Sequence, residues 1–420
     1  MIQHILKIIW TERKINLWIL FELILVFCIM WFCVDYISFF MTRYFEPKGY
    51  SIEHVYSVYL GVDEEGAVMV NGSQEQKDSL LNTIWTIADR IKRNPDIEAV
   101  SLSYAATPYS NSYTNSLIML DSVKSWIQIK TVTPDFLKVF DIAVLQGNPA
   151  DWDNRNSVFI SGDKENMFSK KDAMQVKSFN FTNDNENIQT PVSGVVTPSK
   201  LSEFEPKEPV IYYLFAQNKT QLDYILGIEI CMRVKAGADK DFISRFTKNM
   251  QEQISIAPFF LSSVNPMSDL RKDYLKFSGY DNNFKSIFAI SAFLFINIFL
   301  AIVGTFWFRI QTRRSEIGLR VAMGSSKSKI KSFFIIETLI LLVLASIIST
   351  PICINIDLVN IVKNIGVPAV YREENSEMIG QYIMNYCITF IILMLIAIAA
   401  VWYPSKKASE IQPAEALHYE

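Results

Sequence analysis

The sequence predicts a membrane protein with four transmembrane α-helices and an α+β extracytoplasmic domain of two subdomains, one built on β-α-β units and the other a mostly-β insert. Four uncharged or nearly uncharged runs carry the first half of that expectation: Ile15–Val34, Ser286–Phe308, Ser332–Ile356, and Ile379–Lys406 exclusive of its ends. Each holds about 20 or more residues, enough at ~1.5 Å per residue to cross a hydrocarbon core of roughly 30 Å. The chain of 420 residues is 50% hydrophobic yet 20% charged, so its apolar residues are concentrated in places. Basic residues are also unevenly placed. Arg309, Arg313, Arg314, Arg320, Lys327, Lys329 and Lys331 face one acid, Glu316, in the second connection, and Lys7, Arg13 and Lys14 precede the first run. The third connection is acidic, with Asp357, Glu373, Glu374 and Glu377 against Lys363 and Arg372. Positive charge stays inside, which places both termini and residues 309–331 in the cytoplasm and residues 41–283 outside.

Residues 1–14 put Ile2, Ile5, Leu6, Ile9 and Trp10 on one helical face and Gln3, Lys7, Thr11 and Lys14 on the other, the pattern of an amphipathic helix lying in the inner interface. The first span, 15–40, reads as an uncleaved anchor, because Val34-Asp35-Tyr36-Ile37 is no small-residue cleavage site. Outside, the strand Ile52–Val62, the helix Gln74–Arg93 and the strand Ile97–Ala105 form one β-α-β unit. Ile228–Val234, Asp239–Ile254 and Pro258–Val264 form a second. Together they place one subdomain over 45–130 and 226–265. The insert, 131–225, carries short β-like runs at Ser157–Ile160, Gln175–Phe181, Thr190–Val196 and Pro209–Leu214. Of five cysteines only Cys231 lies in this region, so the outer domain must stand on its own core, as roughly 240 residues can. Residues 266–283, with Leu270, Tyr274 and Phe277 at helical spacing, read as a stalk helix running into the second span, 284–308. The remaining expectations are a cytoplasmic connection at 309–331, a third span at 332–356, a short outer loop at 357–380, a fourth span at 381–403 and a cytoplasmic tail at 404–420.

Catalytic chemistry has little to build on. His4, His54 and His418 are scattered, which leaves no His/Cys zinc set, and neither a P-loop nor a Gly-x-Ser-x-Gly elbow occurs. The acid-rich patches Asp151–Asp153 and Asp184–Glu186 lie among Asn residues and read as solvated loops. No catalytic residue, metal site, cofactor or nucleic-acid partner is therefore expected. Inside the spans Glu22 and Glu337 are the charged residues and Asn297 the polar one, a poor lining for an aqueous path. The second connection is different. Residues Arg313–Met323 form a short helix, Gly324 suits a left-handed C-terminal position, and Ser325 or Ser326 suits the start of the next helix. Ile317, Leu319 and Met323, framed by arginines, have the composition of a protein-docking patch.

At these residues the chain resembles the FtsX-like permease domain of MacB-type ABC transporters. The pattern is Arg313, Glu316, Ile317, Gly318, Leu319, Arg320, Ala322, Gly324, Ser326, Ile330 and Glu337, with Ser325 where alanine is usual. Tyr403-Pro404, Lys407-Ala408, Pro413-Ala414-Glu415-Ala416-Leu417 and Glu420 match a C-terminal signature, with His418 where Arg is common. Val132-Thr133-Pro134-Asp135-Phe136-Leu137, Ser157–Ser161 and Val192–Val196 resemble more loosely the family's periplasmic core domain, in which the β-α-β part is porter-like. The resemblance implies a permease subunit in the bacterial inner membrane, dimerising with a second copy or a sister permease. It implies an ABC ATPase supplied in trans, which binds the ATP and docks on Arg313 to Ser326, and a relay of its motion to the periplasm (mechanotransmission). It further implies efflux of drugs or peptides through a periplasmic adaptor and an outer-membrane duct. Lipoprotein release, regulation of a cell-wall hydrolase and a non-energised scaffold or sensor are the alternatives.

Overall fold

The computed structural model describes residues 13–152, 157–163, 168–183, 186–215, 225–359 and 378–409, with positions 7 and 9–11. Most of the interfacial helix expected at 1–14, the loop at 360–377, His4 and His418, and the signature from Pro413 to Glu420 lie outside the described residues, as do Asp153, Asp184 and Asn185. The chain forms two compact units, one of Met1–Thr42 with Asp281–Glu420 and one of Arg43–Tyr280.

Among the described residues of the membrane unit, four helices are long and apolar enough to cross a bilayer: α1 (Arg13–Phe45), α7 (Tyr280–Thr312), α9 (Lys327–Leu358) and α10 (Met378–Ser409). At 32 or 33 residues each they are roughly 48 Å long, more than the core needs, so their ends reach beyond the apolar runs that announce them. Phe27 and Trp31 of α1, Leu342 and Ala345 of α9, and Ala400 and Val401 of α10 are buried together. Small residues let the last two helices approach closely. Trp307 of α7 stacks on Tyr403 of α10 with ring centroids 6.3 Å apart.

Between α1 and α7 the interspan domain is organised by one sheet. Its strands β1 (Val55–Val62), β2 (Ile97–Tyr104), β12 (Ile228–Val234) and β13 (Phe259–Pro266) lie in the order β2-β12-β1-β13, every neighbour antiparallel. The expected β-α-β units are thus split: each crossover helix returns the chain past a strand of the other unit, a ferredoxin-like arrangement. Helix α3 (Gln74–Lys92) starts at a capping box between Ser73 and Gln76, and its stripe of Leu80, Ile84, Ile87 and Ile91 is buried on the sheet. Helix α5 (Phe242–Ile254) buries Phe242, Phe246, Met250 and Ile254 in the same core. The opposite face receives α4 (Asp135–Val139) and α6 (Met267–Phe277), and its core includes Ala99, Phe136, Cys231 and Met267. Cys231 is wholly buried, and burial pushes its thiol up to about 12, which leaves it inert.

The excursion between β2 and β12 begins earlier than the expected position 131. Strands β3 (Thr114–Leu120) and β4 (Val123–Val132) form a hairpin whose turn residues Asp121 and Ser122 both have positive φ, 46° and 69°. Both signs are those of a twist-matched hairpin turn, made here without the glycine that would have announced it. With β6 (Val158–Ser161), β7 (Ser178–Asn183), β8 (Glu186–Val196) and β11 (Val210–Leu214), these strands close a circuit, because β11 pairs in parallel with β4. Ile118, Ile160, Phe179, Val195 and Ile211 pack in one core there. The two expected subdomains therefore share strand β4 and one continuous sheet: Tyr104 of β2 pairs with Thr131 at its end.

The stalk expected over 266–283 is not one helix. Helix α6 ends at Phe277, Ser278 caps it, Gly279 has φ +76°, and α7 begins at Tyr280. A positive φ is a conformation glycine adopts without strain, and it ends the hydrogen-bonded ladder.

Candidate functional site

The connection between α7 and α9 is a rigid elbow. Helix α7 stops at Thr312, Arg313 leaves helical geometry, and α8 (Arg314–Ala322) follows at once. At its end the Ser325 amide donates to the Arg320 carbonyl and the Gly324 amide to the Val321 carbonyl, 3.0 Å each. With Gly324 at φ +86° this is a Schellman cap, which satisfies carbonyls that a frayed helix would leave to water. Ser326 then accepts from the Lys329 amide at 3.4 Å and starts α9.

What holds the elbow to the bundle is a buried ion pair. One guanidinium nitrogen of Arg313 lies 3.1 and 3.3 Å from the two carboxylate oxygens of Glu337, three turns into α9. Arg313 is 6% exposed and Glu337 0%. Ile317 is buried in the helical core with Ile310, Ile330 and Phe334, and Gly318 is buried beside it. The Arg320 guanidinium sits 4.7 Å over the Phe333 ring. Arg313 and Ile317, expected on the docking face, therefore point inward and position the elbow. The exposed face is left to Leu319, at 52%, Met323, at 71%, and Ala322, one helical stripe of i, i+3 and i+4 spacing. The side chain of Glu316 lies outside the described ones.

Residues 288–413, which contain this elbow, match the family model of the FtsX-like permease C-terminal domain. Over those residues the chain is similar to FtsX-like permeases. Members of that family are transporter subunits. No curated protein matches the chain. Among solved structures, a domain of a Porphyromonas gingivalis protein described as a permease is 11% identical, covers 51% of this chain and 91% of its own, with a TM-score of 0.35. The extracellular domain of the noncanonic ABC-type transporter YknZ from Gram-positive bacteria is 12% identical, covers 50% of this chain and 100% of its own, with a TM-score of 0.31.

The embedded polar residues expected from sequence, Glu22, Asn297 and Glu337, make separate contacts. Glu22 of α1 accepts from the Thr305 hydroxyl of α7 at 3.4 Å. Asn297 is exposed and donates to its own helix at the Phe293 carbonyl, 2.7 Å away. Sequence reasoning missed a third charged residue, Asp35 of α1, which is buried and accepts from the Asn385 side-chain amide of α10, while Ser38 donates to Asn385 Oδ1 at 3.2 Å. An aspartate directly after the apolar run of the first span was the available signal. Among the described residues no cluster of three or more His, Cys, Asp or Glu could hold a metal.

The interspan domain has a half-buried pair of its own, between Glu203 and Arg271 of α6. The guanidinium donates at 2.7 Å to one carboxylate oxygen, and the Tyr109 hydroxyl donates at 2.9 Å to the other. Burial alone would raise this carboxyl; the Arg271 and Tyr109 bonds outweigh it and hold Glu203 below the usual range. Two residues on, Glu205 accepts from the Tyr274 hydroxyl at 2.7 Å, and burial first, then Glu205, pushes that phenol well up. Lys200, just before them, donates at 2.6 Å to Glu46 and to the Arg43 carbonyl. The segment 200–205 thus grips both the end of α1 and helix α6.

Proposed function

We propose that this chain is the transmembrane subunit of an ABC transporter of the MacB type, which relays ATP hydrolysis by a separate ATPase to the interspan domain. The observation that carries the reading is the elbow: an apolar stripe, Leu319, Ala322 and Met323, exposed on a helix that is capped at its end and anchored to the bundle by Arg313 and Glu337. A connector that only fixes topology needs no such anchor, whereas a surface that receives a push must not yield locally. In this reading Arg313, Glu316, Ile317, Gly318, Leu319, Arg320, Ala322, Gly324 and Ser326 together form the coupling element, some by contact and some by holding it. ATP is bound by the partner, and both termini and the elbow lie in the cytoplasm of a bacterial cell, with residues 43–280 in the periplasm.

The relay runs through a second permease copy or a sister permease as well, and its output drives efflux of drugs or peptides with an adaptor and an outer-membrane duct. Its course through the chain is jointed at Gly279, and α6 is pinned by Glu203, so motion reaches the domain through a clamped lever. The test is recovery of the ATPase with the detergent-solubilised chain. Leu319→Asp with Met323→Asp should reduce co-purified ATPase about tenfold or more, as loss of central apolar anchors does. Both side chains are exposed, so the fold should survive. Unchanged recovery would mean that the elbow is no docking surface and would favour a scaffold without energy coupling.

A further inference from the structure

We propose that the interspan domain binds an organic cation in a cavity walled by α6. The cavity has a volume of about 540 Å³, the size that accepts a drug-like molecule. Strand β1 lines it with Tyr59, β12 with Glu229, and α6 with Leu270, Asp273 and Phe277. The three α6 positions are spaced by three and four residues, so one helical stripe, read from sequence as part of a stalk, is a cavity wall.

Charge selects the occupant. The described lining includes two carboxylates, Glu229 and Asp273, and no lysine or arginine. Glu229 is held in place, with one oxygen accepting from the Ser103 hydroxyl at 2.8 Å and from the Thr107 and Ala106 amides at 3.0 and 3.2 Å. Lys130 interacts electrostatically with Glu229 but does not line the cavity, and Lys48, which donates to the Tyr109 hydroxyl at 3.5 Å, does not either. The lip carries apolar and aromatic surface in water: Tyr59 is 42% exposed, Leu226 61% and Phe277 78%. Aromatic residues and carboxylates in one lining both favour a cation, and the apolar walls favour a hydrophobic body behind it. A ligand with an ammonium or guanidinium head on an aromatic or aliphatic frame satisfies all three features; an anion satisfies none of the charged ones.

The inference goes beyond the relay and does not depend on it, since binding is measured without nucleotide or ATPase. The experiment is saturation-transfer NMR on the full chain in detergent, with benzyltrimethylammonium as probe and toluenesulfonate as an anion of similar size. Transfer to the cation is expected, with none to the anion and none from empty micelles. Asp273→Asn should weaken binding about threefold, the usual worth of an exposed charge contact, and Asp273→Lys about tenfold or more. Glu229→Gln should weaken it as well; if that variant misfolds, the exposed Asp273 decides. Equal transfer to both probes, or unchanged affinity in Asp273→Lys, overturns the proposal. Failure here leaves the docking test on Leu319 and Met323 untouched.

Discussion

Arg313 and Glu337 in the membrane unit have side chains 6% and 0% exposed, whereas Arg271 and Glu203 in the interspan domain are 33% and 4% exposed. The chemistry is the same and the surroundings are not. At the elbow both charges have left water and pair with each other in the bundle core. At the Glu203 clamp the guanidinium keeps one side in solvent, and Tyr109 supplies a second bond to the carboxylate. A buried pair fixes a geometry at high stakes, because removing one partner strands the other, while a half-open pair can exchange its partner for water. The elbow is thus built to hold one shape and the clamp to tolerate change.

The largest effect should come from breaking the closed pair. Arg313→Met should destabilise the chain by about 3–5 kcal/mol, the cost of breaking a buried ion pair. Glu337→Leu should cost a similar amount. The double variant should recover most of the loss, since two apolar side chains of matched volume need no partner. Thermal unfolding in detergent, followed by intrinsic fluorescence, measures all three. Singles that unfold within about 1 kcal/mol of the parent would show that water reaches the pair, and the contrast between the two regions would vanish.

How much of this could be read in advance depends on sequence distance. Gly324, and an N-cap at Ser325 or Ser326, were legible because a left-handed cap and an N-cap are local, set by residues within one turn; the structure puts the N-cap at Ser326. The Arg313–Glu337 pair was not, since each residue alone looked like a docking arginine and an isolated buried acid. Their pairing depends on how α8 folds back on α9. The α3 stripe from Leu80 to Ile91 was read from its period, but the interleaving of β1 and β12 depends on strands about 170 residues apart, which no local pattern encodes. The β3–β4 hairpin escaped because Asp121-Ser122 lacks the glycine signal. The break at Gly279 was overlooked for the opposite reason: the apolar stripe of Leu270, Tyr274 and Phe277 led up to it and suggested continuity. That stripe faces the cavity.

Lys130 sharpens the comparison from the other side, as a buried charge held by electrostatics at a distance. It is 4% exposed, and burial, only partly offset by Glu229, pushes its ammonium down to about 8 from 10.5. The unfolded chain binds the proton more tightly, so the folded state bears the full cost below about pH 8. Stability then rises as pH climbs toward 10.5. Lys130→Met should therefore stabilise the domain at pH 7 by on the order of 2–3 kcal/mol, and its advantage should shrink by pH 9.5. Comparing the two proteins at each pH cancels the buried tyrosines and Cys231, which titrate in the same alkaline range. An advantage that does not change with pH would mean Lys130 reaches solvent.

The smallest effect belongs to the half-open clamp, and its pH dependence identifies it. Arg271→Met should cost about 1–2 kcal/mol at pH 7, less than at the elbow because the arginine is one-third exposed and water screens what remains. In the parent, Glu203 titrates below its ordinary 4.5, so the clamp contributes fully above that value and is lost as pH falls through the depressed one. In the variant, burial acts on Glu203 without the guanidinium and raises the carboxyl, so protonation relieves the folded state as the pH drops. The deficit of the variant should therefore close between about pH 5 and pH 3. A deficit that stays constant over that range would mean that Arg271 contributes packing along α6 and not charge, and the clamp would then owe its hold on the helix to Tyr274 and Glu205.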